Sequence, residues 1–298
     1  MSYIKMWRNR ESAEIREEKL IKKEAKEEKK RLEKEKKEQR REERRVRKQE
    51  KKAKNKIEIK EESIKDFSEI LHDNSILKQK KIICFDLYGT LIYRPHAHEK
   101  LKHNLKGIWI VPFKKYYNVI QTTRKENVDS AYESVSGFKM PDRAIRALQK
   151  HFAEEVANTE IFPESLEVLK KLKINWYKLA LISNLSQEFE EPLRKLIPWD
   201  TFDYEALSYD VWTMKPDGVI FNKILDDANA GRTSTHYNMD DMIMVWDGKK
   251  NDVDWAKNVW MDAILLNRKL EKSSYDKENN LIIIHTLTDL LDILWIDY

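Results

Sequence analysis

The chain is poor in the residues that cross-link or punctuate a fold. Among its 298 residues there is one cysteine, Cys84, so neither an intrachain disulfide nor a thiolate metal cage can form. With six glycines and seven prolines, each one is informative as a turn or a breaker. No apolar run approaches the ~18 residues of a membrane span, and the N-terminus lacks the apolar core of a secretory signal. These absences lead us to expect a soluble, cytoplasmic protein with no membrane partner.

The overall charge of +5 conceals two different segments. Residues 8–60 hold 24 Lys+Arg against 14 Asp+Glu, whereas residues 61–298 hold 32 against 38. The first segment has no Gly or Pro, and between Leu32 and Val46 it has no apolar side chain, so no heptad seam runs through it. It does carry Glu-to-basic pairs at i,i+4 spacing, among them Glu18/Lys22, Glu33/Lys37 and Glu43/Arg47. Each is worth only ~0.2–0.5 kcal/mol, but a series of them supports a solvated helix. Residues 1–62 are therefore expected to form a charged, partly helical extension outside any core. It is either a solvated spacer or an arm that binds nucleic acid or another acidic partner nonspecifically through residues 8–60.

Beyond it, short apolar runs recur at 81–86 (KIICFD), 178–183 (KLALIS), 242–247 (MIMVWD), 263–267 (AILLN) and 281–285 (LIIIH). Amphipathic helical stretches at 163–173, 186–197, 217–229, 252–259 and 287–295 lie between or after them. Near-continuous apolar strands alternating with helices predict an α/β fold, a Rossmann-like parallel sheet with helices on both faces. The pattern breaks at 92–160, which lacks a buried strand and reads as helices interrupted near Gly107, Pro112, Gly137 and Pro141. That stretch is expected to be a helical cap over the carboxyl edge of a core made of 63–91 and 161–298.

Three of the runs end in groups suited to chemistry. The first ends in Asp86, followed by Leu87-Tyr88-Gly89-Thr90-Leu91; the second ends in Ser183-Asn184; the third ends in Asp247, with Asp252 and Asp254 behind it. Lys215-Pro216 lies between the second and third. In a parallel sheet these side chains gather at one edge. Carboxylates so gathered repel unless a cation intervenes, which implies a hard ion such as Mg2+. Cys84, between Ile83 and Phe85, is expected in the core.

The motifs resemble those of the haloacid dehalogenase-like (HAD) hydrolases over about residues 80–270. Asp86 with x-x-Gly-Thr-Leu matches the first motif, Ser183 in LISN the second, Lys215-Pro216 the third, and Asp247 with Asp252 in WDGKKNDVDWA the fourth. The resemblance implies that Asp86 is a nucleophile forming a covalent aspartyl intermediate with a phosphorylated substrate. It implies that Thr90 and Ser183, with Gly89 and Asn184 nearby, hold the transferring group, and that Lys215 neutralises charge. Asp86, the main-chain carbonyl of Tyr88, Asp247 and Asp252 would hold Mg2+.

Two positions depart from the family's phosphatases. Tyr88 stands where they carry a second Asp that protonates the leaving oxygen, and losing such an acid costs ~10²–10⁴ in rate. Trp246 stands where a glycine often precedes the fourth-motif Asp. Tyr88 is also the pattern of 2-haloacid dehalogenases, whose halide leaves without a proton. Three readings thus stay open: a Mg2+-dependent phosphatase, a dehalogenase, and a weakly active HAD-like binding protein tethered by its arm. His96, His98 and His103 lack a second ligand set for a metal site. Trp109, Phe113, Tyr116 and Tyr117 are expected mainly as cap core.

Overall fold

The computed structural model describes residues 64–65, 77, 79–94, 113–124, 128–231, 236–248, 261–276 and 279–296. All of them belong to one compact unit, Ile59–Tyr298. The five apolar runs become β2 (Ile82–Phe85), β5 (Lys178–Ser183), β7 (Met242–Trp246), β8 (Asp262–Leu266) and β10 (Leu281–Ile284). Every residue of β2 and β7 is buried, as strands covered on both faces require. Each such Ile, Met or Phe contributes roughly 1.5–3 kcal/mol by leaving water, which offsets the entropy of ordering the strand. Cys84 is fully buried in β2, and burial pushes its thiol well above the ordinary range.

One sheet of eight strands holds the core, in the order β1 (Ile64–Lys65), β9 (Ser274–Asp276), β10, β8, β7, β2, β5 and β6 (Tyr204–Leu207). Strand β2 pairs in parallel with β5 on one side and β7 on the other, Phe85 facing Leu181 and Val245. The carboxyl ends of these three strands therefore lie side by side. The sheet is mostly parallel, but not wholly so. Strand β9 (Ser274–Asp276) runs antiparallel to β10, and β1 (Ile64–Lys65) runs antiparallel to β9. Neither of these short segments carries an apolar run. Strand β6 (Tyr204–Leu207) also escapes the hydrophobic pattern. It is an edge strand whose Glu205 accepts from both terminal nitrogens of Arg194, at 2.7 and 2.6 Å.

The insertion contains α1 (Phe113–Thr122), α2 (Val128–Ser136) and α3 (Asp142–Ala157). At its ends β3 (Ile92–Tyr93) and β4 (Glu160–Ile161) pair with each other, so the chain leaves and re-enters the core at one place. Helix α4 (Ser165–Ile174) then packs on β5. After β5 come a 3-10 turn (Gln187–Phe189) and α5 (Glu190–Leu196), both touched by α3 of the insertion. The short α6 (Ser208–Val211) meets α1, and α7 (Gly218–Asn229) packs on β5 and β6. Helix α8 (Thr288–Leu294) lies beside α4. The helix expected at 252–259 lies outside the described residues. Among the described residues no helix is long and apolar enough to cross a membrane.

Candidate active site

Asp86 leaves β2 with its N–H donating to Val245 O at 3.0 Å, which fixes the turn that follows to the end of β7. Its Oδ1 accepts from the Leu87 N–H at 2.8 Å and pairs with Lys215 Nζ at 2.8 Å. Its other oxygen, Oδ2, has no partner among the described residues. Lys215 is buried, and its Nζ also donates to Ile182 O at 2.9 Å. Asn184 aligns this lysine. Its carbonyl accepts from Lys215 N–H at 2.7 Å, its amide donates to Lys215 O at 3.0 Å, and the Lys215–Pro216 peptide is cis. Expected to touch substrate, Asn184 commits both ends of its amide to the Lys215 backbone, although it still borders the cavity.

Gly89 explains the Gly of the first motif. Its φ is +88°, and a Cβ placed there would lie 1.9 Å from Asp247 Oδ2. The Asp247 carboxylate is thus seated directly on the loop that follows Asp86. The tight approach occurs on the Gly89 side, while Trp246 is buried with its ring 6.0 Å from Lys215 Nζ. Two carboxylates and the nearby Tyr88 main-chain carbonyl are hard oxygen donors of the kind Mg2+ takes, so these residues fit such an ion. Lys215 already supplies one cation to Asp86. Among the described residues no group of three His, Cys, Asp or Glu forms a metal cluster, and Asp252 and Asp254 lie outside them.

A cavity of ≈300 Å³ opens above Asp86. Its floor is Asp86, Ser183, Lys215 and Trp246, and its roof comes from the insertion through Tyr117, Gln121, His151 and Glu155. The roof is anchored on two sides. The Ser208 hydroxyl donates to Gln121 O at 2.6 Å and accepts from Leu185 N–H, and Phe152 of α3 meets Phe189 edge-on at 5.4 Å. Between roof and floor lies Arg94, whose guanidinium carbon is 4.2 Å from the Tyr88 ring and 4.6 Å from that of Phe189. Arg94 pairs with Glu155, which also faces His151 Nε2 at 3.4 Å.

Burial raises the Tyr88 phenol above its ordinary range, opposed by Thr159 and the Arg94 charge and assisted by Glu155. Thr159 offers little to that hydroxyl, since its own proton goes to Glu155 O at 2.8 Å, and Tyr88 Oη is buried without a geometrically sound hydrogen bond among the described residues. Burial likewise pushes up the Tyr117 phenol, with the Arg94 charge working against it.

The fold brings Asp86, Tyr88, Ser183, Asn184 and Lys215 to one cavity, while Gly89 and Asp247 meet each other and do not line it. Thr90 is fully buried, its hydroxyl has no partner among the described residues, and it does not border the cavity. Tyr116 is buried within the insertion, edge-on to Tyr132, whereas Tyr117 borders the cavity. His96, His98, His103 and Trp109 lie outside the described residues, as does the Phe113 side chain. Arg94, His151, Glu155 and Phe189 carry no motif signal, because separate segments meet here only through folding.

A second polar constellation, Ser273, His285 and Asp289, sits away from this cavity. Both Ser273 Oγ and Asp289 Oδ2 face the same ring nitrogen, His285 Nδ1, at 3.1 and 2.6 Å. A relay needs the two on opposite nitrogens. Asp289 Oδ2 instead accepts from the His285 and Thr286 N–H groups and secures the start of α8.

The family model described as haloacid dehalogenase-like hydrolase matches residues 83–266. No curated protein matches the chain. Among solved structures, a 2-haloacid dehalogenase from Pseudomonas syringae pv. Tomato is 20% identical, covering 72% of this chain and 98% of its own, with a TM-score of 0.48. A HAD phosphatase from Thermococcus onnurineus is 19% identical over 72% of this chain and 97% of its own, with a TM-score of 0.45. The HAD-hydrolase YfnB from Bacillus subtilis, bound to magnesium, is 17% identical over 72% and 98%, with a TM-score of 0.45.

Proposed function

Since the chain belongs to the haloacid dehalogenase-like hydrolases, we propose that it is a Mg2+-dependent phosphatase that cleaves a small phosphorylated compound through an aspartyl intermediate on Asp86. One observation carries this reading. Lys215 and the Leu87 N–H pin Asp86 Oδ1, leaving Oδ2 unpartnered among the described residues on a side chain that borders the cavity. In the proposed reaction Oδ2 forms a bond to phosphorus as the bond to the leaving oxygen breaks, and that oxygen takes the electron pair. Water then attacks phosphorus, releasing orthophosphate and restoring the Asp86 carboxylate. Ser183 borders the cavity, and in this reading its hydroxyl donates its proton to a phosphoryl oxygen while Lys215 Nζ, paired with Asp86, orients the nucleophile. Mg2+, held by Asp86, Asp247 and the Tyr88 carbonyl with Asp252 as a further candidate, would supply charge neutralisation at the phosphoryl group.

Tyr88 sets the leaving group. Its raised, poorly partnered phenol is a weak proton donor, which favours aryl or acyl phosphates over alkyl ones. The same observation supports a second reading, displacement of halide from a 2-haloacid, because halide needs no proton. A panel of aryl, acyl and alkyl phosphates with MgCl2, run beside halide release from 2-chloropropionate, separates the two. Wild type is expected to cleave the aryl or acyl esters, and Asp86→Asn to lose at least ~10³-fold, as removal of a nucleophile does. Halide release without phosphatase turnover would install the dehalogenase. Turnover that survives Asp86→Asn would overturn the assignment of the nucleophile.

A further inference from the structure

We infer that Arg94 is a specificity-determining residue that selects substrates bearing a carboxylate on the part remote from the reacting group. The inference rests on Asp86 marking the reacting end of the cavity. Arg94 is 13% exposed and borders the cavity, with Asp86 and Lys215 on the floor. Its guanidinium packs against the rings of Tyr88 and Phe189. Such contacts use the faces of the planar group and leave its N–H groups at the edge.

Glu155 Oε2 accepts from Nη1. The other guanidinium nitrogens, Nε and Nη2, have no acceptor among the described residues. A half-used guanidinium held rigid by two rings matches a planar, two-oxygen anion better than a hydroxyl or an amine. Glu155 is itself divided, since its other oxygen faces His151 Nε2 at 3.4 Å. Arg94 and His151 therefore share one carboxylate.

Size restricts the ligand further. A cavity of ≈300 Å³ is at the small end for metabolite sites, where pockets run from ~300 to ~1,000 Å³. It accommodates a reacting group plus a chain of a few carbons. The substrate class that fits is a short phosphorylated carboxylic acid, its phosphoryl group at Asp86 and its carboxylate at Arg94.

Binding of uncleavable analogues tests this without turnover. With MgCl2 present, calorimetry compares 3-phosphonopropionate with propylphosphonate, which lacks the carboxylate, and with propionate alone. Wild type should prefer 3-phosphonopropionate by about tenfold or more, the worth of one charged hydrogen-bonded pair. In Arg94→Gln the ratio of the two affinities should fall to near one. Glu155→Gln removes the competing carboxylate and should raise the ratio, an opposite sign that damage to the fold would not produce. Equal affinities in wild type would overturn the role of Arg94 while leaving the phosphoryl reading standing. If neither phosphonate binds but propionate does, and Arg94→Gln loses it, the carboxylate site stands and the phosphoryl reading falls. Binding of none of the three would overturn the inference.

Discussion

Residue 88 is the point at which the chemistry of this site departs from that of the family's phosphatases. Tyr88 leaves the Asp86 turn without a carboxylic acid, and its ring packs under the Arg94 guanidinium at 4.2 Å. Introducing the missing acid is therefore not a simple repair. A carboxyl group at position 88 would sit beside a cation, which favours its ionised form and weakens it as a proton donor. Tyr88→Asp alone should raise alkyl phosphate turnover by less than the ~10²-fold typical of a positioned acid. Tyr88→Asp with Arg94→Gln should come closer to it. Steady-state rates on an alkyl ester without a carboxylate check this, and a full gain in the single variant would show that Arg94 does not hold the new group ionised.

Helices α4 and α8 of this chain are each followed by a tryptophan where glycine is usual. A helix commonly ends on a residue with positive φ, where glycine avoids a steric penalty. After α4 that residue is Trp176, at φ 66°, and after α8 it is Trp295, at φ 59°. The hydrogen bonds are those of a full terminal loop. Trp176 N–H donates to Lys173 O at 3.0 Å and Tyr177 N–H to Leu172 O at 3.1 Å. The indole of Trp176 is 92% exposed, so it gains little packing in return. The left-handed conformation costs a non-glycine residue roughly 1–2 kcal/mol, and the added freedom of an unfolded glycine opposes its removal by about 0.4–1 kcal/mol. Trp176→Gly is thus expected to stabilise the protein by up to about 1 kcal/mol, a rise of roughly 2–4 °C in Tm for a domain of this size. Thermal denaturation measures it. A fall in Tm would show that the exposed indole makes contacts of its own.

At the scale of the whole chain, charge and chemistry are divided along the sequence. Residues 8–60 carry the net positive charge, with 24 Lys+Arg against 14 Asp+Glu, while every group assigned to the site falls between Asp86 and Asp252. Any attraction of the protein for nucleic acid should therefore come from the arm. Full-length protein is expected to bind single- or double-stranded nucleic acid weakly at low salt, with affinity falling steeply as salt rises. Removing residues 8–58, which precede the compact unit, should abolish that affinity. It should leave turnover of a small phosphate ester as it was. Gel-shift titration at two salt concentrations, beside a phosphatase assay, tests both halves. Undiminished binding by the shortened chain would move the site of attraction onto the globular part.

Strands that are buried on both faces announce themselves in one dimension, because burial on both sides demands an unbroken apolar run. That is why β2, β5, β7, β8 and β10 were legible within a residue or two, and with them the edge at which Asp86, Ser183 and Asp247 emerge. The edge strand β6 and the antiparallel β1 and β9 were not, since half-exposed or polar strands need no such run. The first-motif glycine was likewise readable as a turn residue. That its missing side chain makes room for Asp247, 158 positions later, is a fact of packing.

Read in one dimension, the chain already yields the α/β fold class, the place of Asp86 at a strand end and a tyrosine, Tyr88, in place of a second acid. Packing alone reveals that Asn184 serves Lys215, that Thr90 does not line the cavity, and that Arg94 meets Glu155 where the insertion joins the core. Periodicity reports how each residue faces its own element. Contacts between residues far apart in the chain depend on how those elements are stacked, and one sequence read alone carries no term for that.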